Sequence, residues 1–199
     1  MAAQDRNFWI FHSKAEEGTM NAAEGSELPM VAEAVIAFIK GMGARSPEKM
    51  FSSMVEQMSS SGKGAELVLL SEDVFLVQEK GKEIKRKTEL GEVVYCGIKL
   101  GTIRGEIFIP GPNFLNYMAA FLDELNYVIV NARAEWLFLC GRDIFAEGIV
   151  RKSLSMGNAL VLNERRECLG YGRIETSGSQ LIKNIFDLGD FLRRERKRR

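Results

Sequence analysis

The segment Glu167-Cys-Leu-Gly170-Tyr-Gly172-Arg-Ile-Glu175 reads as one strand with two glycines inside it. Glycine in a strand interior marks a bend or a close backbone approach, so the segment suits the wall of a small closed or nearly closed barrel. Its neighbours upstream, Tyr127–Val130, Gly148–Lys152 and Ala159–Asn163, share the short β period, and the tail downstream opens with Leu181-Ile-Lys-Asn184. A helix interrupts them, carrying Trp136, Leu137, Phe138 and Cys140 and ending at Gly141. Another helix is expected from Leu188 through Arg194, ahead of the terminal Arg196-Lys197-Arg198-Arg199.

Upstream of Leu125 the pattern is mixed α and β. Val31, Ala34, Val35, Phe38 and Ile39 follow helical spacing, with Gly41 and Gly43 as the stop. Ser46 then stands as a helix cap and Pro47 at the first helical position, before an apolar stripe of Met50, Phe51, Met54, Val55 and Met58 that reads as core. Ser59 to Gly64 is expected to be flexible. Leu67–Leu70 and Val74–Val77 read as strands joined by the turn Ser71-Glu72-Asp73. Gly62-Lys63-Gly64 is not a phosphate loop, because no glycine stands five residues before Lys63 and a glycine replaces the magnesium-binding Ser or Thr. Glu79 to Lys87 is read as a solvated helix face, with an extension of the basic surface as the alternative. Strand-like runs from Glu92 to Ile109 are punctuated by Gly97, Gly101 and Gly105, and Pro112 opens a helix with Phe114, Leu115, Met118, Phe121 and Leu122 on its buried side. Residues 13 to 29 lack apolar periodicity and read as a mobile leader or loop, with a strand as the alternative and with Phe8, Trp9 and Phe11 as possible docking points.

The chain of 199 residues is long enough for one large domain or two small ones. Lys plus Arg and Asp plus Glu both number 27, but the balance is uneven along the chain. Residues 1–124 hold thirteen basic against eighteen acidic side chains, a net of −5, and residues 125–199 hold fourteen against nine, a net of +5. That asymmetry points to an anionic partner held by the C-terminal part, where clustered cations release counterions on meeting phosphates. No apolar run approaches the roughly 20 residues of a membrane span, and no secretory signal is recognisable, so a cytoplasmic protein with no membrane partner is expected. Cys96, Cys140 and Cys168 are odd in number, widely separated and set in apolar segments, which predicts reduced, buried thiols. With His12 the one histidine, a zinc site would be hard to assemble, and no cofactor is expected.

Tyr127-Val-Ile-Val, Leu139-Cys-Gly141-Arg142-Asp143, Glu147-Gly148-Ile149-Val150, Leu160-Val-Leu-Asn163 and Leu169-Gly170-Tyr171-Gly172 together resemble the PUA domain, a small RNA-binding barrel. More narrowly, the order of three pieces is similar to the archaeal form of the Nip-seven family of ribosome-biogenesis factors. They are Val94-Tyr95 through Ile103-Arg104, Asn126 to Ile129, and Leu181-Ile-Lys-Asn184 through Asp187-Leu-Gly189-Asp190 to Arg194. The similarity spans Glu66 to Glu195, and residues 1–29 have no counterpart in it.

The resemblance implies an α+β protein: an N-terminal α/β domain of the pre-PUA kind over residues 30–124, then a PUA-type β-barrel over 125–199 with a basic tail. It also implies a non-catalytic factor that assists ribosomal RNA maturation and large-subunit assembly. Such a factor binds single-stranded, uridine-rich RNA and contacts ribosome-assembly or RNA-processing proteins. Candidate RNA contacts are Arg142, Arg151, Lys152, Arg173, Lys183, Arg193 and Arg194, all within or beside the PUA-like elements. The chain departs from the family where basic residues flank Ile-Lys-Asn: Ser179, Gln180 and Phe186 stand at those positions and only Lys183 of the cluster is kept, which implies RNA binding that is either weaker or moved toward the Arg193–Arg199 tail. Tyr171 has two readings, base stacking or barrel lining. Two other classes stay open beside this one. An RNA-modification enzyme, or its PUA-containing subunit, would need a catalytic constellation that the residues do not assemble. A protein-interaction adaptor would use the basic surface on acidic partners.

Overall fold

The computed structural model describes residues 28–58, 65–78, 97–154, 156–175, 181–190 and 193. The expected leader up to residue 27, the Ser59–Gly64 stretch, the charged run Glu79–Lys87, the run from Glu92 to Cys96, and Ser179, Gln180 and Arg194 lie outside them.

Helix α1 covers Leu28–Gly41 and α2 covers Pro47–Met58. In α1 the i, i+4 series Val31, Val35, Ile39 is buried, and the chain leaves the helix through Gly43 at φ +89°. Ser46 behaves as the α2 cap residue, its carbonyl accepting from the Met50 N–H at 3.0 Å. Met50, Phe51, Met54 and Met58 are buried along the inner face, so these methionines are core filling.

The helices pack on an antiparallel sheet ordered β1-β2-β3-β4: β1 Ala65–Leu70, β2 Asp73–Gln78, β3 Ile98–Arg104 and β4 Ile107–Pro110. The first turn is one residue tighter than the sequence suggests. Asp73 already pairs with Leu70, and Ser71 takes φ +59° to close the two-residue connection. Helix α3, Pro112–Met118, buries Phe114, Leu115 and Met118. It then tightens into a 3-10 helix, Ala119–Glu124, in which Phe121 leaves helical geometry at φ −111°, ψ 33°. Phe121 and Leu122 are therefore only partly buried against the core, whereas a continuous α-helical stripe would have turned them fully inward.

The second sheet is ordered β6-β5-β7-β8-β9, from β5 Tyr127–Val130, β6 Ile149–Lys152, β7 Gly157–Leu162, β8 Cys168–Glu175 and β9 Leu181–Asp187. Only β5 and β7 run parallel; the other pairs are antiparallel. Helix α4, Ala132–Leu139, follows β5 and is capped by Asn131, whose side chain accepts from the Ala134 N–H at 3.0 Å. Gly170 sits at φ +143°, and a Cβ there would overlap the Phe186 carbonyl, so β8 and β9 approach each other only because that side chain is missing. Upstream of β6, the backbones of Ile144 and Ile182 exchange both hydrogen bonds, at 2.9 and 2.7 Å, which ties the β9 edge to the segment leading into β6. The sheet is nearly closed by this bridge.

Strand alternation divides the second sheet between two cores. Val128, Val130, Ala159 and Val161 turn inward with Ala134 and Phe138 of α4. Ile129, Leu160, Leu162 and Cys168 turn outward and join the core formed by α1, α2, α3 and the first sheet. The two sheets therefore share buried surface. Tyr171 belongs to that shared layer: Phe38 of α1 meets it edge-on at 5.3 Å, and Phe186 stacks on it at 6.2 Å. It neither lines the barrel interior nor presents a free face for a base, and burial raises its phenol pKa.

The expectation of buried thiols holds for Cys168 and fails for Cys140. Burial pushes the Cys168 thiol up to about 11, while Cys140 is exposed because it caps the last turn of α4 on its solvent side. Cys96 is outside the described residues.

Candidate functional site

Arg173 in β8 and Lys183 in β9 stand directly opposite each other in the antiparallel register. Opposed residues have Cβ atoms about 5 Å apart, so two like charges there repel unless an anion lies between them. Both side chains are exposed, and neither forms an ion pair among the described residues. On the other side of Arg173 the register partner is Asn158 of β7, an uncharged donor and acceptor. Asn158 lies two residues from Leu160 and Arg173 two from Tyr171, so period-two alternation puts the row Asn158, Arg173, Lys183 on the outer face. It sits one step beyond the row Leu160, Tyr171, Phe186, which packs against the shared core.

Arg151 lies on the same face but across two intervening strands. Its guanidinium stands 6.0 Å from the Tyr127 ring centroid, a cation–π contact at the β6 edge. Lys152 turns to the opposite face, opposite Val128, where its Nζ is buried with no hydrogen-bond partner among the described residues. Arg142 is exposed just past α4, its backbone N–H donating to the Leu137 carbonyl at 3.0 Å.

Arg193 is placed quite differently. Its guanidinium grips the buried Asp187 carboxylate with two parallel bonds of 2.7 and 2.8 Å, lies 3.6 Å from Asp190, and donates to the Leu139 carbonyl at the end of α4. The Asp187 hydrogen bonds, ahead of the attraction of Asp187 and Asp190, raise its pKa further above the usual arginine value. The N–H of Arg193 donates to Gly189 O at 3.2 Å, within the span where the C-terminal helix is expected, so the described part of that span serves as an intramolecular clamp.

Asn184 forms a second latch on α4. Its side chain donates to Phe138 O at 2.8 Å and its N–H donates to Asp143 Oδ1 at 2.8 Å. Of the seven candidates, Arg173 and Lys183 are brought together, and Arg142 lies around the β9 edge from them, beyond Asn184. Arg151 and Lys152 are apart from the pair, Arg193 is engaged internally, and Arg194 is outside the described residues. Sequence reasoning passed over Asn158, and it also passed over the exposure of Trp136 and Arg133. The signal for Trp136 was available: buried Ala134 and Phe138 are four apart, which turns the residue midway between them away from the core.

Residues 126–196 match the family described as UPF0113 PUA domain, a class of module that generally binds RNA. A UPF0113 protein of Archaeoglobus fulgidus is 33% identical over 115 residues; the match covers 51% of this chain and 63% of that relative's length. The crystal structure of a hypothetical protein from Pyrococcus horikoshii OT3 superposes with a TM-score of 0.51 at 16% identity, covering 85% of this chain and 94% of the other. A conserved PUA domain protein from Thermoplasma acidophilum superposes with a TM-score of 0.42 at 22% identity, covering 74% and 95%. The C-terminal sheet, with α4 across its inner face, is thus the PUA domain of an α+β protein.

Proposed function

We propose that this protein is a non-catalytic RNA-binding factor that assists ribosomal RNA maturation and large-subunit assembly in the cytoplasm. Its ligand in this reading is single-stranded, uridine-rich RNA, and its protein partners are ribosome-assembly or RNA-processing factors. The observation that carries the reading is the opposed pair Arg173 and Lys183 within the PUA match, neither of which forms an ion pair among the described residues. Two exposed cations on opposed strand positions are within reach of one phosphate, and Arg adds a planar fork that also stacks on bases. The net of +5 over residues 125–199 supplies the longer-range attraction.

The test is fluorescence anisotropy of labelled uridine-rich, adenine-rich and duplex RNA against the intact protein at two salt concentrations. Salt-sensitive binding with a preference for the uridine-rich single strand is expected. Absence of binding to any of the three would overturn the reading and favour an adaptor that meets acidic proteins.

A further inference from the structure

Trp136 is 69% exposed on the solvent side of α4, with Arg133 one turn before it and also exposed. An indole this open offers an aromatic face to a partner, with the ring N–H as a polar handle. Two arginines lie close to it in the chain, beside Glu135 and Asp143. Arg133 shares its face at i−3, and Arg142 follows the helix end, tied by its backbone to Leu137. An aromatic plane flanked by arginines suits a nucleobase, because every base offers a π-face while the cations hold its phosphates.

The fold joins this face to the Arg173–Lys183 pair. Lys183 precedes Asn184 in β9, and Asn184 is bonded both to Phe138 of α4 and to Asp143, the residue after Arg142. Crossing the β9 edge from Lys183 therefore leads directly to Arg142 and the C-terminal end of α4. Leu139 O at that end is held in turn by Arg193, so the helix cannot drift from the strand. Resting on the RNA-binding reading above, we propose that the RNA strand bends over the β9 edge and that Trp136 stacks on one of its unpaired bases. Its phosphates on one side are held by Arg173 and Lys183, and on the other by Arg142 and Arg133.

The chain has two tryptophans, Trp9 and Trp136, so a Trp9→Phe protein reports on Trp136 alone. Titration of that protein with a short oligouridylate is expected to quench the indole fluorescence, and an abasic oligonucleotide of the same length is expected to leave it unquenched. Trp136→Ala should weaken oligouridylate binding by roughly tenfold or more, the loss of one base–aromatic stack. Because the side chain is mostly exposed, the variant should keep the wild-type unfolding midpoint. Binding that is undiminished in Trp136→Ala, with no quenching, would overturn the stacking site while leaving the RNA reading intact. No oligouridylate binding by the unsubstituted protein would overturn both.

Discussion

Lys183 and Asp187 lie four residues apart on β9, and the two ends of that strand treat positive charge in opposite ways. At the first end Lys183 faces Arg173, and no carboxylate is paired with either among the described residues. At the other, Arg193 is neutralised by a carboxylate that is only 3% exposed and by a helix-end carbonyl. A count of basic residues treats Lys183 and Arg193 alike. The difference between them lies in which acids the fold brings within reach, and that decides which cation is left for a phosphate. One end of β9 ties the protein together, and the other presents the cations that the proposed reading assigns to RNA.

The largest expected effect is at the clamped end. Arg193→Ala strands the buried Asp187 carboxylate and should lower the unfolding free energy by about 3 kcal/mol, read from urea denaturation. RNA affinity of the folded variant should stay at the wild-type level. A variant that kept full stability and lost RNA binding would reverse the assignment of the two ends. Phe186→Arg tests the middle of the strand. The resemblance places a basic residue there, but Phe186 stacks on Tyr171 in the shared core. The substitution should destabilise by about 2 kcal/mol, since a charge replaces an aromatic contact in a partly desolvated layer, and it should bring no gain in RNA affinity. Tighter binding at unchanged stability would show that the position faces solvent.

Much of this architecture was legible from short-range pattern. Gly170 and Gly172 marked the strand that bends against β9, Pro47 and Pro112 marked helix starts, and the methionine stripe of α2 marked a core face. The shared layer was not legible, because alternation in β5 and β7 is masked when both faces are apolar: Tyr127 to Val130 reads as one continuous hydrophobic run whichever core each residue joins. Tyr171 was ambiguous for the same reason. At the site, the sequence supplied the basic residues but not their partners. Arg173 and Lys183 are ten residues apart in the chain and meet only through the β8–β9 register, while Arg193 meets Asp187 only six residues before it. The exposed Cys140 was read as buried because its neighbours Leu137 and Phe138 are apolar, although the helix turns it to the other side.

The smallest effect in free energy bears most directly on function. An Arg173→Ala, Lys183→Ala double variant should unfold no more easily than the wild type, because removing two opposed like charges relieves repulsion. The decisive measurement is its affinity for oligouridylate by anisotropy across a range of salt concentrations. Binding roughly tenfold weaker at low salt is expected, with a log–log salt slope shallower by about 1.4, as for the loss of two phosphate contacts to a single strand. An affinity and slope indistinguishable from wild type would contradict the account, since the Lys183 end of β9 would then hold no RNA.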